Sequence, residues 1–514
     1  MHDSESVRAQ DWDALVIGTG VGGATLGYAL ARAGWRVLFL EKGRAAGRHA
    51  DTLRGGYPEL VCPDAAAQAD CLRRGGRLWE PLRDGAHALT PLMGCGSGGS
   101  SALYGMAMER FFPADFADWP ITYDDLAPYY DRAEALYGVR GERDPLRPPA
   151  PALPPAPPLS PVAQELMAHF RARSLNPYRL PQACAFLPEC SCCQGYLCPR
   201  ACKIDAGRAC LEPALAEHGA ALLDECEALR LEADSRRVTG LVCRHAGATF
   251  TLRARHVVLA AGALQSPALL LRSASAAWPQ GLANRSGLVG RRLMRHLVDL
   301  YLVFTREKAD RRQKELALSD LYQRDGEKLG TLQAFGALPP AAMLVQDLIR
   351  DLRARAPWAA PLLAPVRPLL RPLLDRLFER GVLLAAILED LPHADNRVLP
   401  GPPLAIAYHL QAQDRMRLQR FRRAVRLALR PYRILALHQA EKNAMLAHVC
   451  GTCRFGDDPA TSVLDRHNRA HDLDNLWVVD AAFFPTSGGT NPALTIAANA
   501  LRVADHLSSQ HPRR

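Results

Sequence analysis

The sequence predicts an α/β (α+β) fold in which a Rossmann-like nucleotide-binding domain is intertwined with a second domain. Two observations carry this. The segment from Asp13-Ala-Leu-Val-Ile-Gly-Thr-Gly-Val-Gly-Gly to Glu41 holds a complete dinucleotide-binding βαβ unit. The chain is also 514 residues long and 48% hydrophobic, enough for a large core divided over two domains rather than one.

The elements of that unit follow in order. An apolar run, Ala14 to Ile17, predicts a buried strand, and a glycine turn with Gly18, Gly20 and Gly23 predicts a helix from Val21 to about Ala33. The second strand is Val37 to Leu40. Gly18 permits the tight turn, Gly20 lets backbone approach a pyrophosphate, and Gly23 allows close helix–strand packing. The helix N-terminus at Val21 and Gly22 offers oriented N–H groups to the anion. Glu41 stands where a carboxylate accepts both ribose hydroxyls; an acid there speaks against a 2′-phosphate and leaves FAD or NAD.

Whole-chain properties exclude several classes. No run of about 18 apolar residues reads as a transmembrane helix. The start, Met1-His-Asp-Ser-Glu5, has neither the basic nor the apolar region of an export signal. The net charge of +10 raises nucleic acid as a partner, but the basic residues are scattered without interleaved aromatics, so none is expected. The excess reads as solvated faces, with peripheral membrane contact as the sharper alternative.

Two segments stand apart. Pro145 to Pro161 is too proline-rich for helix or sheet and predicts a stiff polyproline connector at a domain crossing. Ala341 to about Glu389 is apolar and arginine-studded, with helical spacing broken by Pro357, Pro361, Pro365, Pro368 and Pro372. It predicts short packed helices or a lipophilic lid.

Further blocks follow. Gly94-Cys-Gly-Ser-Gly-Gly-Ser-Ser101 is a second glycine-rich loop, and Trp119-Pro-Ile-Thr-Tyr-Asp-Asp-Leu-Ala-Pro-Tyr-Tyr130 leads an amphipathic helix to Tyr137. His256 to Pro267 reads as buried strand, small-residue turn and helix start. Near the end stand His448-Val-Cys-Gly-Thr-Cys-Arg-Phe-Gly456, Asn475-Leu-Trp-Val-Val-Asp480 and Gly488-Gly-Thr-Asn-Pro-Ala-Leu-Thr-Ile496. This order resembles the glucose-methanol-choline (GMC) family of flavin oxidoreductases, closely at both ends and the middle, loosely over about 300 to 440.

The resemblance implies a GMC fold, with a Rossmann-like FAD-binding domain over 7–140, 184–298 and 445–510. Residues 141–183 would form the connector and cap, and 299–444 a substrate-binding domain of antiparallel sheet plus helices. It implies FAD, with the isoalloxazine between Gly98-Gly99-Ser100 and the C-terminal block, Asp480 and Ala481 beside the ribityl chain, and Ala228 at the adenine. No histidine lies between Gly94 and Gly105, so FAD is expected to be non-covalent.

Oxidation of a carbinol needs a base for the O–H proton while hydride leaves the carbon, and a polar group to orient the oxygen. His448 and Asn491 match the family's pair for these roles. An unperturbed histidine, with a pKa of about 6.5, can be neutral at working pH. Packing alone would otherwise explain one of sixteen histidines, and His296, His467 and His471 are read as structural.

Of fourteen cysteines, Cys184, Cys190, Cys192, Cys193, Cys198, Cys202 and Cys210 crowd one segment. Disulfides do not suit a chain read as unexported, and zinc knuckles are spaced otherwise, so iron–sulfur ligation competes with structural thiols. The spacing Cys-Cys-x4-Cys of Cys192, Cys193 and Cys198 is similar to the GMC subgroup of FAD-dependent glucose dehydrogenase catalytic subunits, where it holds a 3Fe-4S cluster. Leu282 to Met294 also looks like that subgroup.

The expectation is therefore an FAD-dependent dehydrogenase acting on an alcohol, lipophilic on the strength of the segment after Ala341. Its electrons would pass to a cytochrome c-type, quinone or small-subunit partner. An O2-using oxidase with structural cysteines and a redox-silent lyase on the same fold are the alternatives. The expected place is the cytoplasm or the inner-membrane periphery, or the periplasm if a signal-bearing partner exports it.

Overall fold

The computed structural model describes residues 4–45, 82–84, 87–89, 94–308, 314–324, 326–336, 381–401, 404–442 and 446–510, with positions 358 and 372. A five-stranded parallel sheet runs in the order Leu476–Val478, Ala254–Leu259, Trp12–Ile17, Val37–Leu40, Ala221–Leu223. Its strands are near-continuous apolar runs because both faces are covered. The helix Val21–Arg32 packs on it, and a Cβ at Gly27 would lie 2.3 Å from the Phe39 ring. Gly18, Glu41, Ala260 and Val479-Asp480 all follow the carboxyl ends of these strands. In an open parallel sheet that edge binds the ligand.

A second, antiparallel sheet runs Arg433–Leu437, Met294–Phe304, Gly381–Leu388, Gly330–Ala334, Leu316–Leu318, Tyr178–Arg179. The strand Ala447–Cys450 joins the Met294 end. Strand alternation sends Leu297, Tyr301, Leu332, Leu384 and Leu388 to one core, against Leu166 and Phe170 of the helix Pro161–Arg171 and Leu418 and Phe421 of the helix Ala412–Ala428. The opposite face carries Leu300, Leu302, Leu383, Ala385 and Ile387 with Phe335 packed on them. The α/β (α+β) class is as the sequence predicts.

Residues 148–160 have no regular structure, and Ser160 caps the next helix by accepting the Ala163 N–H at 3.2 Å. Residues 341–380 lie outside the described residues apart from 358 and 372. One part of that segment differs from expectation: Gly381–Leu388 is a strand in mid-sheet, not helix. An apolar run buried on both faces has no period to separate the two states. Among the described residues no helix is long and apolar enough to cross a membrane.

Candidate active site

The two glycine loops meet. A Cβ at Gly99, whose φ is +52°, would lie 3.2 Å from the Gly20 Cα, and Ser100 Oγ accepts the Gly94 N–H at 3.0 Å. Gly98 also has positive φ, +84°. On the first loop, a Cβ at Gly18 would sit 2.4 Å from the Ala260 carbonyl, at Gly22 2.2 Å from that of Val479, and at Gly23 2.1 Å from that of Gly18. At Gly20 nothing lies within 4 Å, and this residue caps the helix with no side-chain bond. The loop is therefore open at Gly20, beside the start of the helix, and a dinucleotide pyrophosphate fits there.

Around this cradle stand the other predicted cofactor residues. Glu41 accepts from Thr19 N (3.1 Å), Thr19 Oγ1 (2.7 Å), Gly43 N and Gly96 N (both 2.9 Å), so its carboxylate ties the first loop to the second. Asp480 is buried and accepts from Ser266 Oγ and from the Gly262 and Ala482 amides at 2.9 Å. Burial pushes its carboxyl above the ordinary value. The Ala481 carbonyl takes the Gly451 N–H at 3.1 Å. Ala228 follows Cys226, whose N–H donates to the Glu41 carbonyl at 2.9 Å, so it sits at the Glu41 end of the cradle.

His448 and Asn491 come together from different elements. His448, on Ala447–Cys450, has a φ of +57°, an uncommon conformation for a residue with a side chain. Its Nε2 lies 3.4 Å from Asn491 Nδ2, and its Nδ1 lies 2.8 Å from Nδ1 of His296. Burial, then the neighbouring His296 and Lys314, holds His448 well below the ordinary histidine value. It is therefore a neutral acceptor at neutral pH. Asn491 Oδ1 is buried without a hydrogen-bond partner among the described residues.

Two participants escaped the sequence reading. His296 touches His448 rather than serving packing alone. Lys314, 4% exposed, lays its ammonium 5.6 Å from the centre of the Phe335 ring, and its backbone N–H donates to Cys192. No local pattern marks either one, because both act through contacts distant in sequence.

Six of the seven crowded cysteines gather. Cys184 and Cys190 Sγ stand 3.6 Å apart, and with Cys192 they form a trio within 4.8 Å. Cys193 and Cys198 are hydrogen-bonded free thiols, and that shared bond drives Cys193 up and Cys198 down. Cys202 packs in the same group, whereas Cys210 lies apart on Thr25 and Tyr137. Thus the predicted ligands Cys192, Cys193 and Cys198 share one loop, but Cys192 turns toward Cys184 and Cys190. The φ of Cys192 is +48°.

Two ammonium groups are buried beside these thiols. Lys203 donates to the Ala102 and Tyr196 carbonyls at 2.9 and 3.1 Å, and Lys314 has no hydrogen-bond partner for its ammonium among the described residues. Burial lowers each to about 8. Asp205 acting on Lys203 and Glu109 acting on Lys314 supply part of the opposing charge, and thiolates carrying an iron–sulfur cluster would add to it, so the thiols of this loop taken together are compatible with that group.

Comparison with known proteins identifies the family. The N-terminal and C-terminal profiles of the GMC oxidoreductases match residues 12–298 and 393–500. The chain is 32% identical to 6'''-hydroxyparomomycin C oxidase of Streptomyces lividus, covering 97% of this chain and 92% of that one. It is 26% identical to 2-methyl-1,2-propanediol dehydrogenase of Mycolicibacterium austroafricanum (98% and 96% covered). It is likewise 26% identical to the fructose dehydrogenase large subunit of Gluconobacter japonicus (96% and 97% covered). The fold matches pyridoxine 4-oxidase from Mesorbium loti with a TM-score of 0.65 at 21% identity, over 98% of this chain and 100% of that one. Extended over both ends of the chain and most of its length, these matches make the protein a member of the GMC oxidoreductase family.

Proposed function

We propose that this GMC oxidoreductase is an FAD-dependent dehydrogenase that oxidises the CH–OH group of a small alcohol to a carbonyl. The observation that carries the reading is the His448–Asn491 pair, 3.4 Å apart. Bound FAD, held non-covalently by the glycine cradle, supplies the hydride acceptor at flavin N5. His448 Nε2 takes the hydroxyl proton, and Asn491 orients the oxygen as charge develops on it. The apolar sheet face of Leu300, Leu302, Leu383, Ala385 and Ile387, with Phe335, supports a substrate with a lipophilic part.

A 3Fe-4S cluster on Cys192, Cys193 and Cys198 would supply a one-electron exit toward a cytochrome c-type, quinone or small-subunit partner, for which peripheral membrane docking is a fitting place. The domain division is part of this reading: 7–140, 184–298 and 445–510 bind FAD, 299–444 bind substrate, and 141–183 connect. The parallel sheet supports it, since all its strands fall in the first set.

The test is anaerobic mixing with an alcohol panel, paired with iron and sulfide analysis and low-temperature EPR of the unreduced protein. Flavin bleaching with about three irons per flavin and a three-iron signal supports the dehydrogenase. A second reading, an oxidase, is favoured by the 32% identical relative named as one. Stoichiometric peroxide with no iron would replace the first reading by the second.

A further inference from the structure

His296 is 1% exposed and lies on the strand Met294–Phe304, where its pairing with Ala447–Cys450 is bulged between Met294 and His296. Bulges re-aim side chains. This one, with the positive φ of His448, sets the two imidazoles edge to face, their centres 4.9 Å apart at 82°.

We infer that His296 is a positioning residue that fixes the tautomer of His448, keeping the His448 proton on Nδ1 so that Nε2 presents its lone pair to the substrate hydroxyl. This rests on the reading of His448 as the base.

The argument is one of donors and acceptors. His296 Nε2 stands 3.1 Å from the Ser487 carbonyl and 2.9 Å from that of Gly488. Carbonyls only accept, so that nitrogen carries a hydrogen. A neutral imidazole has one N–H, which leaves His296 Nδ1 an acceptor. The 2.8 Å contact between the two Nδ1 atoms then places its single proton on His448. His448 Nε2 is left bare, facing Asn491.

The opposite arrangement requires a charged His296. That ring faces His448 and two carbonyls, and the Lys314 ammonium acts on His448, so among the described residues no carboxylate stabilises a charge on His296. Burial supports the same conclusion by pushing His296 down to about 4.

The loop that carries these carbonyls is itself fixed on either side of them. Ser487 Oγ accepts the Asp390 N–H at 3.0 Å and donates to the Asp390 carbonyl at 3.1 Å, while Thr331 Oγ1 donates to the Gly489 carbonyl at 2.7 Å. The relay is thus held before substrate arrives. In Ser-His-Asp enzymes a carboxylate plays this part; a neutral imidazole sets the tautomer without a carboxylate's charge to stabilise the imidazolium that forms.

The experiment compares wild type with His296→Leu and His296→Gln, measuring anaerobic flavin reduction against pH, substrate Kd and FAD content. Histidine 15N spectra of the wild-type holoenzyme are recorded alongside. Leucine offers no acceptor, and its reduction rate should fall between about 10- and 10^4-fold at unchanged Kd. Glutamine can donate to the carbonyls and accept at Oε1, and should recover most of the rate. The spectra should show His448 protonated at Nδ1 and bare at Nε2. Wild-type rates in His296→Leu, or a His448 protonated at Nε2, would overturn the inference. If no alcohol bleaches the flavin, the function reading fails while the spectra still decide the tautomer.

Discussion

Asn491 Nδ2 stands 3.4 Å from His448 Nε2, a separation longer than a good hydrogen bond and wide enough for both groups to turn to one incoming hydroxyl. On the proposed reading the pair would tighten around substrate rather than around itself. His448→Ala should therefore lower the rate of flavin reduction by about 10^2- to 10^4-fold. Asn491→Ala should cost about 10^2- to 10^3-fold, as for loss of one donor to a developing oxyanion. Anaerobic stopped-flow absorbance measures both, and a change confined to KM would remove these residues from the chemistry.

The acid limb of kcat/KM should fall below the ordinary histidine range. Burial, His296 and Lys314 together lower the His448 value, and a base loses activity as pH falls through its own pKa. The rate should thus stay level from pH 8 down through about 6.5. Lys314→Met removes one cation acting on the ring and should shift the limb to higher pH. A pH-rate profile with a limb near neutrality in the wild type would contradict the burial argument.

The cradle was legible in sequence because its demands are local. Gly18, Gly22 and Gly23 each face a carbonyl within 2.4 Å of an added Cβ, and only glycine meets that at fixed spacing. The His448–Asn491 pair was legible only through resemblance, since a histidine and an asparagine far apart in sequence declare no contact. His296 was missed for the same reason: its partner lies 152 residues away, across a bulged pairing. Cysteine spacing showed which thiols crowd one loop, but not that a left-handed turn at Cys192 sends it toward Cys184 and Cys190.

Gly20 and Gly22 should respond differently to the same substitution. A Cβ at Gly22 would meet the Val479 carbonyl at 2.2 Å, so Gly22→Ala should destabilise the fold by about 1–3 kcal/mol through overpacking. At Gly20 the protein leaves open space, so Gly20→Ala should fold with a nearly unchanged melting temperature yet bind FAD at least tenfold more weakly. Thermal melting of the apoprotein and FAD titration separate the two. Equal FAD affinity in Gly20→Ala and wild type would remove Gly20 from the cofactor path.

The cysteine loop allows a comparison between two thiols of unequal surroundings, Cys198 half-buried and Cys210 buried. Cys198 is hydrogen-bonded to Cys193 beside the buried ammonium of Lys203, whereas Cys210 sits with Thr25 and Tyr137 away from the group. If the loop holds iron, Cys198→Ser should remove the EPR signal and most of the iron, while Cys210→Ser should leave both intact. Flavin reduction by alcohol should persist in Cys198→Ser, because His448 and Asn491 are untouched, but turnover with a one-electron acceptor should slow. Loss of acceptor turnover without loss of flavin bleaching places the thiols on the electron exit. Unchanged turnover in Cys198→Ser would return them to a structural role and leave oxygen as the acceptor.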